Sequence, residues 1–161
     1  MIVISDSSCL INLATIQLLS ILPDLFQEVI IPKAVYNEIA VSGAGQPGEM
    51  EIKEARWIKV LPCHNQQLLN RLLADLDEGE AEAIVLALEQ KADLLIMDEA
   101  KGRAFAAQLG LRFTGLLGIL LMAKEKLFIP EIKPYLNLLR PHFWISEAVM
   151  KEVLRLSGEE K

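Results

Sequence analysis

Ile2-Val3-Ile4-Ser5-Asp6-Ser7-Ser8 opens the chain. Ile2-Val3-Ile4 is a short β-branched run without polar alternation, the pattern of a strand covered on both faces. Asp6-Ser7-Ser8 follows at once and offers N-cap chemistry for a helix carried by Leu10, Leu13 and Ala14. The same alternation continues along the chain. A second helical piece is expected over Gln17 to Leu22, ended by Pro23. Glu28 to Ile31 reads as a strand, and Pro32 suits the first turn of a helix running to about Ala40. Ser42 to Gly48 is a flexible loop. Trp57 to Leu61 is a third strand, and Asn65 to Leu73 is helical. Glu78 to Gln90 carries the strongest helical pattern. Asp93 to Met97 is a strand, Ala100 to Leu109 a helix stopped by Gly110, and Arg112 to Thr114 a short strand. Leu116 to Lys126, Ile132 to Leu139 and Ser146 to Leu156 read as helices. Strands alternating with helices predict an α/β fold, a three-layer α/β/α sandwich with a central parallel sheet.

The length of 161 residues suits one domain with a sizeable core. Residues 1–156 are expected to form that single domain, and 157–161 a frayed tail. The apolar share of 52% and charged share of 24% exclude a disordered chain. The apolar run Leu116 to Ala123 is too short to span a bilayer, so no membrane association is expected. The start lacks a basic segment before its apolar run and does not read as a signal peptide. Cys9 and Cys63 form neither a disulfide framework nor a zinc spacing. They point to a reducing, cytoplasmic setting with both thiols buried. A net charge of −6 argues against broad electrostatic binding to nucleic acid. It does not exclude a nuclease whose metal-binding acids themselves add negative charge.

In open parallel sheets, ligands bind beyond the carboxyl ends of the strands. Asp6 falls just past the first strand. Asp98 falls just past the strand Asp93 to Met97, with Glu99 beside it. Glu38 shares a helix face with Ala34 and Val35, and Glu80 with Ala83, Ile84 and Ala87, so both acids read as turned inward. Glu82 and Glu89 read as solvent-facing. Each acid also has a plainer reading. Asp6 and Asp98 can be helix N-caps, Glu38 a solvated helix residue, and Asp77 with Glu80 a capping box. Convergence of four carboxylates from separate elements favours a shared site. An all-oxygen donor set suits Mg²⁺ or Mn²⁺. Such a site suits in-line attack of water on a phosphodiester. Lys101 and Arg103 open the following helix. Arg103 reads as a contact to a substrate phosphate or as an ion-pair partner of Glu99. Trp57 and Trp144 read as core or dimer interface. His64 and His142 read as loop residues without a catalytic partner spacing.

Four segments together resemble the PIN-domain nuclease family. They are Val3 to Ser8, Ile31 to Ile39, Asp77 to Ala87, and Asp93 to Glu99 with Gly102-Arg103. The Thr114-Gly115-Leu116-Leu117-Gly118 segment extends the likeness, and the branch it is most similar to is that of VapC-like toxins. The resemblance implies a Mg²⁺- or Mn²⁺-dependent endoribonuclease, with Asp6, Glu38, Glu80 and Asp98 as its catalytic and metal-binding acids. It implies that Ser8 helps to hold the first acid. The third acid is commonly Asp in the family and is Glu80 here, with Asp77 the competing candidate and Glu99 an assistant. It further implies an RNA substrate, a homodimer and a small antitoxin protein that silences the enzyme. Rival readings are a phosphatase, for which Ser8 stands where a second Asp belongs, and a catalytically silent PIN-like binding module.

Overall fold

The structure is a computed structural model and describes residues 1–160. Five strands form one parallel sheet: β1 (Val3–Ser5), β2 (Val29–Pro32), β3 (Ile58–Leu61), β4 (Leu94–Ile96) and β5 (Phe113–Thr114). Their order across the sheet is β3-β2-β1-β4-β5. The register pairs Ile4 with Ile30 on one side, and Ile4 with Leu95 and Ser5 with Ile96 on the other. The chain runs outward from β1 to β2 and β3, then crosses to β4 and β5. The switch point therefore lies between the carboxyl ends of β1 and β4, where such sheets leave a crevice.

Neighbouring strand residues face opposite layers, as the two-residue period of a strand requires. Val3, Val29, Ile31 and Ile96 pack into one core. That core is shared with α1 (Ser7–Thr15), α2 (Ile21–Phe26), α8 (Leu116–Glu125), α9 (Lys133–Leu139) and α10 (Glu147–Ser157). Ile4, Ile30, Leu95 and Met97 pack into the other, with α5 (Gln66–Leu72), α6 (Glu78–Glu89) and α7 (Ala100–Gln108). The expected three layers are present. The uninterrupted apolar strands are what a sheet covered on both faces needs.

Several local expectations need correction. The second helix is displaced to Ile21–Phe26, and Pro23 lies inside it rather than ending it. Proline is tolerated in a first turn, where the N–H it lacks has no intrahelical partner. A helix α4 (Glu49–Glu54) follows the glycine-rich loop and was not expected. The helix after Pro32 is a single α-turn, α3 (Lys33–Tyr36), and it widens into a π-helical turn over Asn37–Val41. Ser42 N–H donates to Asn37 O across that turn at 2.8 Å. Cys9 is buried, whereas Cys63 is only half-buried, its thiol set against Glu82 O.

The chain end is also held more firmly than a frayed tail from Ser157 would be. The Glu159 carboxylate accepts from Lys124 Nζ at 2.9 Å and from the backbone N–H groups of Ile132 and Lys133 at 2.8 and 3.0 Å. It thereby satisfies otherwise free donors at the start of α9. Lys161 of the expected tail lies outside the described residues. Among the described residues, no helix is long and apolar enough to cross a membrane.

Candidate metal centre

Asp6 follows β1 directly and is the N-cap of α1. Its carboxylate accepts from Cys9 N–H at 3.2 Å and from the Ser8 hydroxyl at 3.5 Å. Its own N–H donates to Ile96 O at 3.0 Å, which ties it to the neighbouring strand at the switch point. Asp6 is only 2% exposed. Burial pushes its carboxyl up to about 7, helped by the charges of Asp98 and Glu80 and opposed by the N–H groups of Cys9 and Asp98.

Asp98 follows β4 and is half-buried. It does not cap the helix that follows it. Its two carboxylate oxygens accept from Leu116 N–H, the first residue of α8, at 3.0 and 3.2 Å. Burial raises its carboxyl above the usual range, while the Leu116 N–H and the Arg103 guanidinium draw it down. Gly115 makes this arrangement possible. A Cβ there would collide with Asp98 Oδ1 and stand 2.7 Å from Arg103 Nη2.

Glu80 is half-buried at the first turn of α6. It forms the capping box that its spacing from Asp77 allows. Asp77 accepts from Glu80 N–H at 2.8 Å, and Glu80 accepts from Asp77 N–H at 3.2 Å. Burial raises the Glu80 carboxyl first, the Asp77 N–H lowers it, and the charges of Asp77 and Glu99 add to the rise. Asp6, Asp98 and Glu80 thus form one electrostatically coupled group, with Asp77 and Glu99 at its edge. Glu99 is exposed and caps α7 through Lys101 N–H at 3.0 Å.

Glu38 departs from the inward placement expected. It is exposed, because the backbone widens into the π-helical turn where an α-helix was assumed. It lines a cavity of about 320 Å³ together with Asp77 and Gly79 at the start of α6. Arg103 reaches a backbone carbonyl and an aromatic ring instead of Glu99. Its Nε donates to Met97 O at 2.8 Å, and its guanidinium lies 5.3 Å from the centre of the Phe113 ring. It makes no ion pair with Glu99 among the described residues.

Two acids that were read as solvent-facing hold the framework instead. Glu82 Oε1 accepts from Ala34 N–H at 3.2 Å, joining α6 to the start of α3. Glu89 accepts from His64 and Asn65 N–H at 2.8 and 2.6 Å and anchors the turn into α5. A sequence signal for the first existed. Ile31-Pro32-Lys33 supplies no side chain able to cap α3, so its free N–H groups need an acceptor from elsewhere. Cys9 was missed as a functional neighbour. It is fully buried, donates its N–H to Asp6, and has its thiol pushed up by burial and by both aspartates.

The donors are all oxygen, and three of them are carboxyls raised by burial, with neighbouring acids adding to the rise at Asp6 and Glu80. A hard divalent cation would relieve that condition, so the chemistry of the set fits Mg²⁺ or Mn²⁺. Among the described residues, no three His, Cys, Asp or Glu side chains converge closely enough to hold an ion as they stand.

A buried acid at the switch point of a parallel α/β/α sandwich, with a second acid just past the adjacent strand, is an arrangement that metal-assisted phosphate chemistry can use. A family model described as a PIN domain (DUF3368) matches residues 2–159. The chain belongs to the PIN-domain family, a family of nucleases that generally use divalent metals. A search of curated proteins finds no match.

Proposed function

We propose that this protein is a Mg²⁺- or Mn²⁺-dependent endoribonuclease, the toxin of a toxin–antitoxin pair. The observation that carries the reading is the coupling of Asp6 and Asp98 across the switch point, with both carboxyls raised by burial. Asp6 and Asp98 would hold the cation, and Glu80 and Glu38 would complete its surroundings. When bound, the cation lowers the pKa of a water and offsets charge on the leaving oxygen. Ser8 and the Cys9 N–H orient Asp6. The Leu116 N–H orients Asp98, and Arg103 places positive charge beside it. The Asp77 N–H holds Glu80.

The reading includes a homodimer, a small antitoxin that reaches the acids with a basic side chain, and a reducing cytoplasmic setting for the two free cysteines. A catalytically silent PIN-like binding module is the second reading, favoured by the absence of a ready three-ligand cluster among the described residues. The test is cleavage of a labelled single-stranded RNA pool with Mn²⁺ or Mg²⁺, with EDTA and Asp6→Asn as controls. Metal-dependent cutting that Asp6→Asn abolishes supports the enzyme. Metal binding without cutting supports the silent module. Sedimentation equilibrium tests the dimer, and a purely monomeric species at all concentrations would contradict it.

A further inference from the structure

A second opening adjoins the candidate acids. It is a cavity of about 460 Å³ bounded by α1, the π-helical turn, the loop at Pro47 and the turn after α9. Ile11 and Pro47 supply apolar wall, while Asn12, Thr15, Glu38 and His142 supply polar atoms. Glu38 also lines the smaller cavity that reaches Asp77. The two cavities therefore meet at one carboxylate. Asn12 lies one helical turn beyond Ser8, whose hydroxyl donates to Asp6, so one face of α1 leads from the buried acid to this opening. Gly43 lines the larger cavity. A Cβ there would stand 2.7 Å from Ile39 O and 2.8 Å from Glu38 O.

The volume falls within the range of small-ligand pockets, and Ile11, Ile39 and Pro47 give it apolar wall on which a flat ring can lie. Thr15 spends its hydroxyl on Ile11 O at 2.8 Å. The half-buried Asn12 side-chain amide, with two donors and an acceptor, is open to solvent and makes none of the side-chain hydrogen bonds found among the described residues. An unengaged amide on an apolar-walled pocket is what reading a base edge requires. Single-stranded RNA is recognised through bases turned out of their stack in this manner.

We propose that this pocket holds one unpaired nucleobase of an RNA strand and that Asn12 reads its edge. The proposal rests on the nuclease reading for the position of the scissile phosphodiester next to the pocket. Base binding itself does not require cleavage. The pocket thus makes Asn12 a specificity determinant set one helical turn from the residue that orients Asp6.

The test is NMR titration of the full chain with the four nucleoside 5′-monophosphates. They are used at about 10 mM, since a single base and its sugar is a millimolar ligand. The expected result is saturable shifts at Ile11 to Thr15 and Gly43 to Pro47, with one base preferred by about 5-fold or more. Asn12→Leu should erase that preference. Asn12→Asp, which keeps acceptors and loses donors, should change which base is preferred and covers the case in which the leucine variant fails to fold. Absence of saturable shifts at these residues with all four nucleotides would overturn the proposal. So would an unchanged preference in either folded variant. RNA cleavage is measured alongside. Base binding without cleavage refutes the nuclease and keeps the pocket, whereas cleavage without base binding refutes the pocket.

Discussion

Asp6 shows how one residue can be structural and chemical together. It caps α1, as an ordinary aspartate after a strand would, yet it is buried beside two other acids. Its carboxyl is raised from 3.8 to about 7. A raised acid binds a proton more readily in the folded state than in the unfolded one. Its contribution to stability is therefore fully present below about pH 4 and lost as pH rises through about 7. The loss amounts to about 4 kcal/mol at most. Thermal melts without metal should fall across that window, and Asp6→Asn should flatten the fall. Mn²⁺ should restore stability at the upper end in the parent protein and not in the variant. A parent melting temperature independent of pH from 4 to 7 would contradict this electrostatic account.

Gly115 makes a different residue-scale prediction. Gly115→Ala drives a methyl group into the Asp98 carboxylate and the Arg103 guanidinium. Overpacking of this kind costs about 1–3 kcal/mol. Cleavage should fall as well, because Asp98 loses its hold on Leu116 N–H. Chemical denaturation and a cleavage assay check both halves. Gly45, whose added Cβ would meet nothing but whose φ is +83°, is the comparison that separates backbone strain from collision.

At the scale of elements, the helices are positioned by carboxylates borrowed from other elements. Glu82 supplies the cap that α3 lacks, and Glu159 supplies the cap that α9 lacks. Glu82→Ala should destabilise the protein by about 1 kcal/mol and loosen the turn that carries Glu38. Hydrogen exchange at Ala34 is the measurement, and unchanged protection there would contradict the role. Glu159 behaves oppositely to Asp6. Its carboxyl is lowered from 4.5 to about 2, by the N–H groups of Ile132 and Lys133 and by Lys124, against a burial effect that raises it. Its contribution is therefore present above about pH 4.5 and lost as pH falls toward 2. Glu159→Gln should remove part of the acid sensitivity of the melting temperature and leave its behaviour near pH 7 governed by Asp6.

Over the whole molecule, the features legible in sequence were those set by strand burial and the carboxyl-end rule. The strands read at Ile2 to Ile4, Glu28 to Ile31 and Asp93 to Met97 are present as β1, β2 and β4, and Asp6 and Asp98 followed from their positions after two of them. The misread parts depended on contacts between distant segments. Glu38 faced inward only if its helix stayed α-helical, and packing of Gly43 against the Glu38 and Ile39 carbonyls accompanies a π-helical turn instead. Glu82 and Glu89 carried the periodicity of exposed residues and Glu159 fell in the expected frayed tail, and only the folded chain shows which backbone donors they meet. Helix α4 has a single buried residue, Ile52, too little apolar pattern to mark it. Trp57 packs against the core, while Trp144 is 84% exposed, a distinction composition could not make.

Asp6 and Asp98, coupled across the switch point, should bind a divalent cation. Calorimetric titration of the metal-free protein with Mn²⁺ tests it most directly, run at about pH 6 and about pH 8 in two buffers of different ionisation enthalpy. Binding should be saturable and tighter at the higher pH, with proton release at the lower pH as Asp6 ionises, and it should be lost in Asp6→Asn. Saturable binding that Asp6→Asn leaves intact, or no binding at either pH, would contradict it.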